Sequence, residues 1–99
     1  MVKRKAREEF YRMLRELLSS DPSLKEEIDR AIKMFVNNHN DTRLRDHALN
    51  KRMKGWRAFS VNEDVRIVYK VTGKNNVEFL AIGGHRKVYG KVNDNVGQL

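Results

Sequence analysis

Apolar residues in the first part of the chain recur every three or four positions, with arginine, glutamate and lysine between them. The apolar positions are Phe10, Met13, Leu14, Leu17 and Leu18. This spacing puts them on one side of a helix, so it predicts an amphipathic helix that packs through that side. The run Ser-Ser-Asp-Pro at 19–22 ends the pattern.

A second helical pattern follows at once. Asp21 is a suitable N-cap, and Pro22 suits the first helical position. The apolar stripe of this helix consists of Leu24, Ile28, Ala31, Ile32 and Phe35. The polar run Asn-Asn-His-Asn-Asp at 37–41 breaks the pattern. The first half of the chain therefore predicts a helical hairpin with one apolar face.

The second half changes to the two-residue alternation of β-strands. The clearest strand is Val65–Val71, in which Arg66 and Lys70 lie on the side opposite Val65 and its apolar partners. The other candidates are Trp56–Val61, Val77–Ile82 and a short edge strand at His47–Leu49, with a hairpin turn at 72–76.

This order of elements predicts an α+β fold, in which an N-terminal helical hairpin packs on a three- to four-stranded antiparallel sheet. The helices should cover one face of the sheet, which leaves Arg66 on the other, open face. We expect residues 1–90 to form a single domain. The tail at 91–99 has no usable pattern and is expected to be flexible.

The positive charge is concentrated in the part of the chain that forms the strands. Residues 42–91 hold 12 of the 21 lysines and arginines and 4 of the 13 acidic residues, so the whole net charge of +8 lies there. The remaining residues balance, with 9 basic and 9 acidic side chains. A confined basic surface suits a polyanion, either nucleic acid or an acidic protein, although an ordinary solvated surface is the alternative.

Composition excludes several classes of site. Cysteine is absent, so disulfides and thiolate metal sites are excluded. The three histidines have no metal-ligand spacing, and we expect no metal and no cofactor. The N-terminal segment MVKRKAREEFYR lacks the apolar stretch of a signal peptide, and no apolar run approaches the roughly 20 residues of a membrane span. We therefore expect a cytoplasmic protein.

Three short motifs occur in a fixed order in the second half. They are H-A-L at 47–49, D-V-R-I-V-Y at 64–69, and G-G-H-R-K-V-Y at 83–89. In this order, and with these elements around them, they resemble the RelE/ParE toxins, and above all the YafQ-like branch. The resemblance extends from the first helix to Tyr89.

The resemblance implies a toxin that cuts messenger RNA on the ribosome and is inhibited by an antitoxin, which we expect to be acidic. In such toxins the 2′-hydroxyl of the RNA attacks the adjacent phosphate. The reaction needs a base for the hydroxyl proton, a cation beside the phosphate and an acid for the leaving 5′-oxygen. The partners implied are the antitoxin, the ribosome and mRNA.

The catalytic candidates that the resemblance implies are His85, Arg66, Asp64 and His47. His85 follows a Gly-Gly pair and has the side chain that titrates near neutral pH. Arg66 would stabilise the charge on the phosphate, and an internal salt bridge is the alternative reading. Asp64 would orient a histidine or act as a base, and otherwise it is a turn residue. His47 is either catalytic or structural.

The RNA-binding candidates are Arg57, Lys51, Arg52, Lys54 and Tyr89. Tyr89 would stack on a base, and the four cations would meet phosphates or ribosomal RNA, although each could also be solvated surface. Trp56 is assigned to packing.

One position departs from the YafQ-like pattern. Ser60 stands where those toxins usually have a histidine, and serine is not a general acid or base near pH 7. The departure leaves three alternatives open. These are a ParE-like toxin directed at DNA gyrase, a non-catalytic RNA-binding module, and a degenerate toxin that only binds its antitoxin.

Overall fold

The computed structural model describes residues 2–49 and 55–84. Its elements are β1 (Lys3–Ala6), α1 (Glu8–Ser20), α2 (Leu24–Asn37), a 3-10 turn (Thr42–Leu44), β2 (His47–Ala48), β3 (Trp56–Ser60), β4 (Val65–Gly73) and β5 (Asn76–Gly84). The strands form one sheet in the order β1-β5-β4-β3-β2. The α+β class and the helical hairpin on a sheet are confirmed. The predicted tail at 91–99 lies outside the described residues.

The strand count differs from the prediction. The sheet has five strands rather than three or four, and it is mixed, because β1 pairs parallel to β5 while the other strands pair antiparallel. Its sequence, Lys-Arg-Lys-Ala, has no alternation of apolar and polar residues to reveal a strand. Lysine is common on exposed edge strands, where its charge discourages pairing with other chains.

The start of α2 also differs from the prediction. The helix begins at Leu24, and its N-cap is Ser23 rather than Asp21. The Asp21 carboxylate accepts hydrogen bonds from the Ser23 backbone N–H (3.2 Å) and hydroxyl (2.5 Å). Asp21 and Pro22 therefore form a turn before the helix. The aspartate satisfies that turn instead of the first helical N–H groups.

The β4–β5 hairpin is longer and tighter than its sequence predicted. Pairing continues to Gly73 opposite Asn76, so only Lys74 and Asn75 remain as the turn. Asn75 has a φ of 60°, a left-handed conformation that asparagine tolerates better than most residues. Both glycines at 83–84 belong to β5 rather than following it.

The helices cover one face of the sheet. Phe35 of α2 stacks on Phe59 with ring centroids 4.4 Å apart and meets Tyr69 edge-on at 4.8 Å. Phe79 lies 5.4 Å from Phe10 of α1, so both helices rest on the same aromatic layer. Within the described ranges, no helix is long and apolar enough to span a membrane.

Candidate active site

The face of the sheet that points away from α1 and α2 is called the second face here. Its side chains follow from the strand register, because residues directly opposite in neighbouring strands point the same way. One row across the second face is Ser60, Arg66 and Gly83, and the next is His47, Ala58, Val68 and Ala81. Three pieces of the chain that are far apart in sequence therefore meet on one surface.

Arg66 lies at the centre of β4, half-buried, on the second face. Its Nη1 donates hydrogen bonds to the carbonyl oxygens of Asn62 (2.6 Å) and Val65 (3.3 Å). Among the described residues it forms no ion pair, so the internal salt bridge considered from the sequence is not found there. The carbonyl contacts fix the guanidinium in place and leave its positive charge uncompensated by those neighbours.

The turn between β3 and β4 is held by the side chain of Asn62. Its Oδ1 accepts hydrogen bonds from the backbone N–H groups of Asp64 (2.8 Å) and Val65 (2.7 Å). Its Nδ2 donates to Oε1 of Glu27 on α2, also at 2.8 Å. Asn62 thus ties the turn that carries Asp64 and Arg66 to the helical layer on the other side of the molecule.

Asp64 is exposed, and its carboxylate lies beside the end of β5. A Cβ placed on Gly84 would come within 3.1 Å of Asp64 Oδ2 and 3.5 Å of Oδ1. Glycine at 84 therefore allows the carboxylate to approach the backbone more closely than a larger residue would. Gly84 immediately precedes His85 in the sequence. His85 itself lies outside the described residues, as do Tyr89, Lys51, Arg52 and Lys54.

His47 lies exposed at the start of the short edge strand β2. Its Nδ1 is 3.0 Å from the carbonyl oxygen of Arg45, and because a carbonyl only accepts, Nδ1 carries the proton. The other ring nitrogen, Nε2, is then the basic one. His47 pairs with Ala58, so it is the diagonal neighbour of Ser60 on the second face.

Arg57 lies on the helix-covered face, opposite Tyr69, and not beside Arg66. Its Nε donates to Asp46 Oδ1 at 2.8 Å, and the Tyr69 hydroxyl donates to Asp46 Oδ2 at 2.5 Å. Burial raises the pKa of Tyr69, and the hydrogen bond and charge of Asp46 raise it further. Burial opposes ionisation of Arg57, but Asp46 more than offsets it and raises the pKa of the guanidinium.

Ser60 stands directly across from Arg66. A side chain at position 60 therefore projects beside the guanidinium, with His47 as its diagonal neighbour. This is the position where the YafQ-like pattern has a histidine. Over the described stretches of chain, no group of three or more histidine, cysteine or acidic side chains could hold a metal ion.

Comparison with known proteins identifies the family. The family model described as a bacterial toxin of type II toxin–antitoxin systems, YafQ, matches residues 2–90. The chain belongs to the YafQ toxin family. The resemblance of the three motifs is thereby confirmed. No curated protein matches the chain by sequence comparison.

Solved structures show the same fold as this YafQ-family chain. The *Escherichia coli* DinJ–YafQ complex contains a chain that is 21% identical, with a TM-score of 0.75, over 91% of this chain and 100% of that one. A copper-bound mutant toxin from *Helicobacter pylori* is 24% identical, with a TM-score of 0.69, over 88% and 98%. A YoeB/ParE toxin from *Agrobacterium tumefaciens* is 18% identical, with a TM-score of 0.71, over 85% and 99%.

The sequence reasoning missed the residues that support this site in the YafQ-family fold. Asn62, Glu27 and Asp46 were not singled out, yet each makes a hydrogen bond that fixes a turn or a strand end. The run Asn-Glu-Asp at 62–64 is a turn signal that could have indicated Asn62. Nothing local to Glu27 indicates its partner, because that partner lies 35 residues away.

Proposed function

We propose that this YafQ-family toxin is a ribosome-dependent endoribonuclease that cleaves mRNA and is inhibited by a protein antitoxin. The observation that carries the proposal is the position of Arg66. It is a half-buried cation on the second face, held by carbonyl oxygens and without an ion pair among the described residues. A preorganised charge of this kind suits the phosphate of a transition state.

In the proposed reaction, the 2′-hydroxyl oxygen attacks the adjacent phosphorus, and the bond from phosphorus to the 5′-oxygen breaks. A base takes the hydroxyl proton, and an acid supplies a proton to the leaving oxygen, so the products are a cyclic phosphate and a 5′-hydroxyl. His85 acts as one of these two groups, and Arg66 stabilises the phosphate. Asp64 orients a histidine or acts as the base, and His47 offers its Nε2 as a further proton acceptor. This chemistry requires neither a metal ion nor a cofactor.

The proposed partner is an acidic antitoxin that neutralises basic residues of the toxin. The net charge of +8 supports this, and so does the DinJ–YafQ complex among the similar structures. The cations Lys51, Arg52 and Lys54 and the Tyr89 ring are proposed contacts to RNA. Arg57 can contribute its charge only from the helix-covered side of the sheet.

The test is cleavage of a defined message on 70S ribosomes by His85→Gln and Arg66→Ala variants. Loss of a general acid or base should lower the rate by about 10²–10⁴. Loss of the fixed charge should lower it by about 10²–10³. His39→Gln and Arg30→Ala are matched controls that remove the same groups from outside the site, and both should cleave normally.

Circular dichroism verifies that each variant is folded. Wild-type cleavage by folded His85→Gln would remove His85 from the reaction. No cleavage by the wild-type protein, combined with inhibition in a DNA gyrase supercoiling assay, would favour the ParE-like alternative instead.

A further inference from the structure

We infer that Lys3 and Lys5 of β1 extend the RNA-binding surface, as a phosphate-binding site for the strand that passes over Arg66. This inference rests on the proposed function and adds residues to the substrate surface of that site. The starting observation is the parallel pairing of β1 with β5, which places Lys3 opposite Asn76 and Lys5 opposite Glu78.

The register puts both lysines on the second face. Lys5 lies across from Glu78, and Glu78 lies across from Lys70 on β4, with 3.6 Å between its Oε1 and the Lys70 Nζ. Lys3 is two residues before Lys5 and so points the same way. Arg4, between them, points to the helix-covered face, where its guanidinium carbon is 5.8 Å from the centre of the Phe79 ring.

The two lysines are exposed, and neither forms an ion pair with another described residue. Other exposed cations are already compensated by near neighbours in the sequence. Lys25 is 2.9 Å from Asp29, and Arg43 is 2.7 Å from Asp41. Lys3 and Lys5 thus have no carboxylate to leave when they meet a phosphate.

A groove of about 330 Å³ lies beside these lysines. Its lining is Lys3, Arg4, Lys5, Thr72, Asn76 and Val77. That lining contains three cationic residues, a hydroxyl and an amide, and it contains no acidic side chain. Such a set of donors matches phosphate and sugar oxygens, which take most of the hydrogen bonds in nucleic-acid complexes.

The spacing fits a short piece of single strand. From β1 to β4 is two strand spacings, about 10 Å, and from Lys70 to Arg66 is four residues, about 13 Å. Lys5 is therefore roughly 16 Å from Arg66 along the second face. A strand whose cleaved phosphate contacts Arg66 would reach Lys5 and Lys3 a few nucleotides away, as in basic grooves that follow a nucleic-acid backbone.

The test measures binding of the intact protein to a single-stranded RNA of about 12 nucleotides. The RNA carries 2′-O-methyl groups so that it cannot be cleaved. Each phosphate contact contributes about 0.7 to the slope of log affinity against log salt concentration for single strands. The Lys3→Gln/Lys5→Gln double variant should therefore have a slope shallower by about 1.4.

Two matched variants make the result specific. Arg30→Gln/Lys33→Gln removes the same charge from α2 and should keep the wild-type slope. Lys3→Arg/Lys5→Arg keeps the charge on β1 and should do the same. Circular dichroism is recorded for all variants, since the strand pairs through its backbone and should persist.

Three results would overturn the inference. One is an unchanged slope in the glutamine variant of β1, and another is an equal loss in the α2 variant, which would mean that only overall charge matters. The third is an unchanged RNA slope with weakened binding of a purified acidic antitoxin, which would assign β1 to a protein partner. Because no ribosome and no cleavage enter this assay, its outcome is independent of the cleavage test.

Discussion

At the scale of single residues, the β3–β4 turn depends on Asn62. One side chain accepts two backbone hydrogen bonds and donates a third to Glu27, while its own carbonyl oxygen holds Arg66. Asn62 is thus a positioning residue for the two catalytic candidates of this turn. Its role is visible only when the helix and the turn are seen together.

Replacement of Asn62 by alanine should lower both stability and cleavage. Loss of the side-chain bonds leaves the N–H groups of Asp64 and Val65 without that acceptor, which costs about 1–3 kcal/mol. Asn62→Asp keeps the acceptor oxygen and should recover most of the cleavage rate, although it brings a negative charge to Glu27. The measurements are urea unfolding and kcat on programmed ribosomes. A drop in stability with unchanged kcat for Asn62→Ala would reduce its role to a purely structural one.

Ser60 is the second residue with a prediction of its own. Because it lies directly opposite Arg66, a histidine there would add a titrating group beside the phosphate site. Ser60→His should therefore raise mRNA cleavage or leave it equal. Ser60→Asn, of similar polarity but unable to titrate, is the control. A clear decrease in cleavage with Ser60→His alone would show that the site is not a weakened form of the YafQ-like one.

Tyr69 gives the third residue-scale prediction, on pH. Its pKa in the folded state is raised above the value of about 10 for an unfolded tyrosine. A raised pKa means that its contribution to stability is complete below pH 10 and is lost as the pH rises above that. Tyr69→Phe should be less stable by about 1–3 kcal/mol at neutral pH, since the bond to Asp46 is lost.

The difference between wild type and Tyr69→Phe should shrink as the pH increases from 9 to 11. Thermal unfolding at each pH measures it, and using a difference cancels the titration of lysines. Tyr11→Phe, at an exposed position on α1, should show no pH-dependent difference. A constant difference for Tyr69→Phe across this range would contradict the raised pKa.

At the scale of elements, α2 connects the core to the site. Its buried Phe35 contacts the aromatic rings of β3, β4 and β5, and its Glu27 holds the β3–β4 turn. The sheet face under α2 is thereby fixed at its centre, and the turn is fixed at its edge. This explains how a helix on one face can position Arg66 on the other.

Truncation of Phe35 to alanine should be among the most destabilising single changes in the chain. The ring is fully buried, and its removal leaves a cavity among three other aromatic rings, so the cost should be about 3–5 kcal/mol. Val71→Ala, at a position 58% exposed, should change stability by less than about 0.5 kcal/mol. Urea unfolding measures both variants. A cost below about 1 kcal/mol for Phe35→Ala would mean that the core closes around the gap.

At the scale of the whole molecule, opposite charges are separated between layers. The helices carry most of the acidic residues of the first half, whereas β1 carries three cations and no acid. The balanced charge of the first half therefore does not remain balanced in space. Its lysines on β1 join the basic strands, and the second face becomes more positive than the sequence count suggested.

This charge distribution predicts strongly salt-dependent binding to ribosomes. Several phosphate contacts should make the affinity of the toxin for 70S ribosomes fall by orders of magnitude between 50 mM and 200 mM salt. Sedimentation with ribosomes over this range measures the affinity. The control is Arg30→Gln/Lys33→Gln, whose affinity should follow the wild-type curve. An affinity that does not change with salt would show that ribosome binding does not depend on phosphate contacts.

The sequence by itself determined what short-range periodicity can encode. The stripe through Phe10 and Phe35 predicted two helices, and the alternation around Arg66 predicted two faces of a strand. The order of the motifs predicted the family, and Asp64, Arg66 and His47 were named before their neighbours were known. These features are local because each depends on residues within a turn or two of the same element.

Only the tertiary structure decided which distant residues meet. The pairing of Lys3 with Asn76, the bond from Asn62 to Glu27 and the bond from Tyr69 to Asp46 all close long loops. Their free energy depends on packing of the whole chain, so no local pattern records them. The strand β1 is the clearest case. Its residues have no strand-like alternation, and they form a strand because the free edge of β5 offers backbone partners to them.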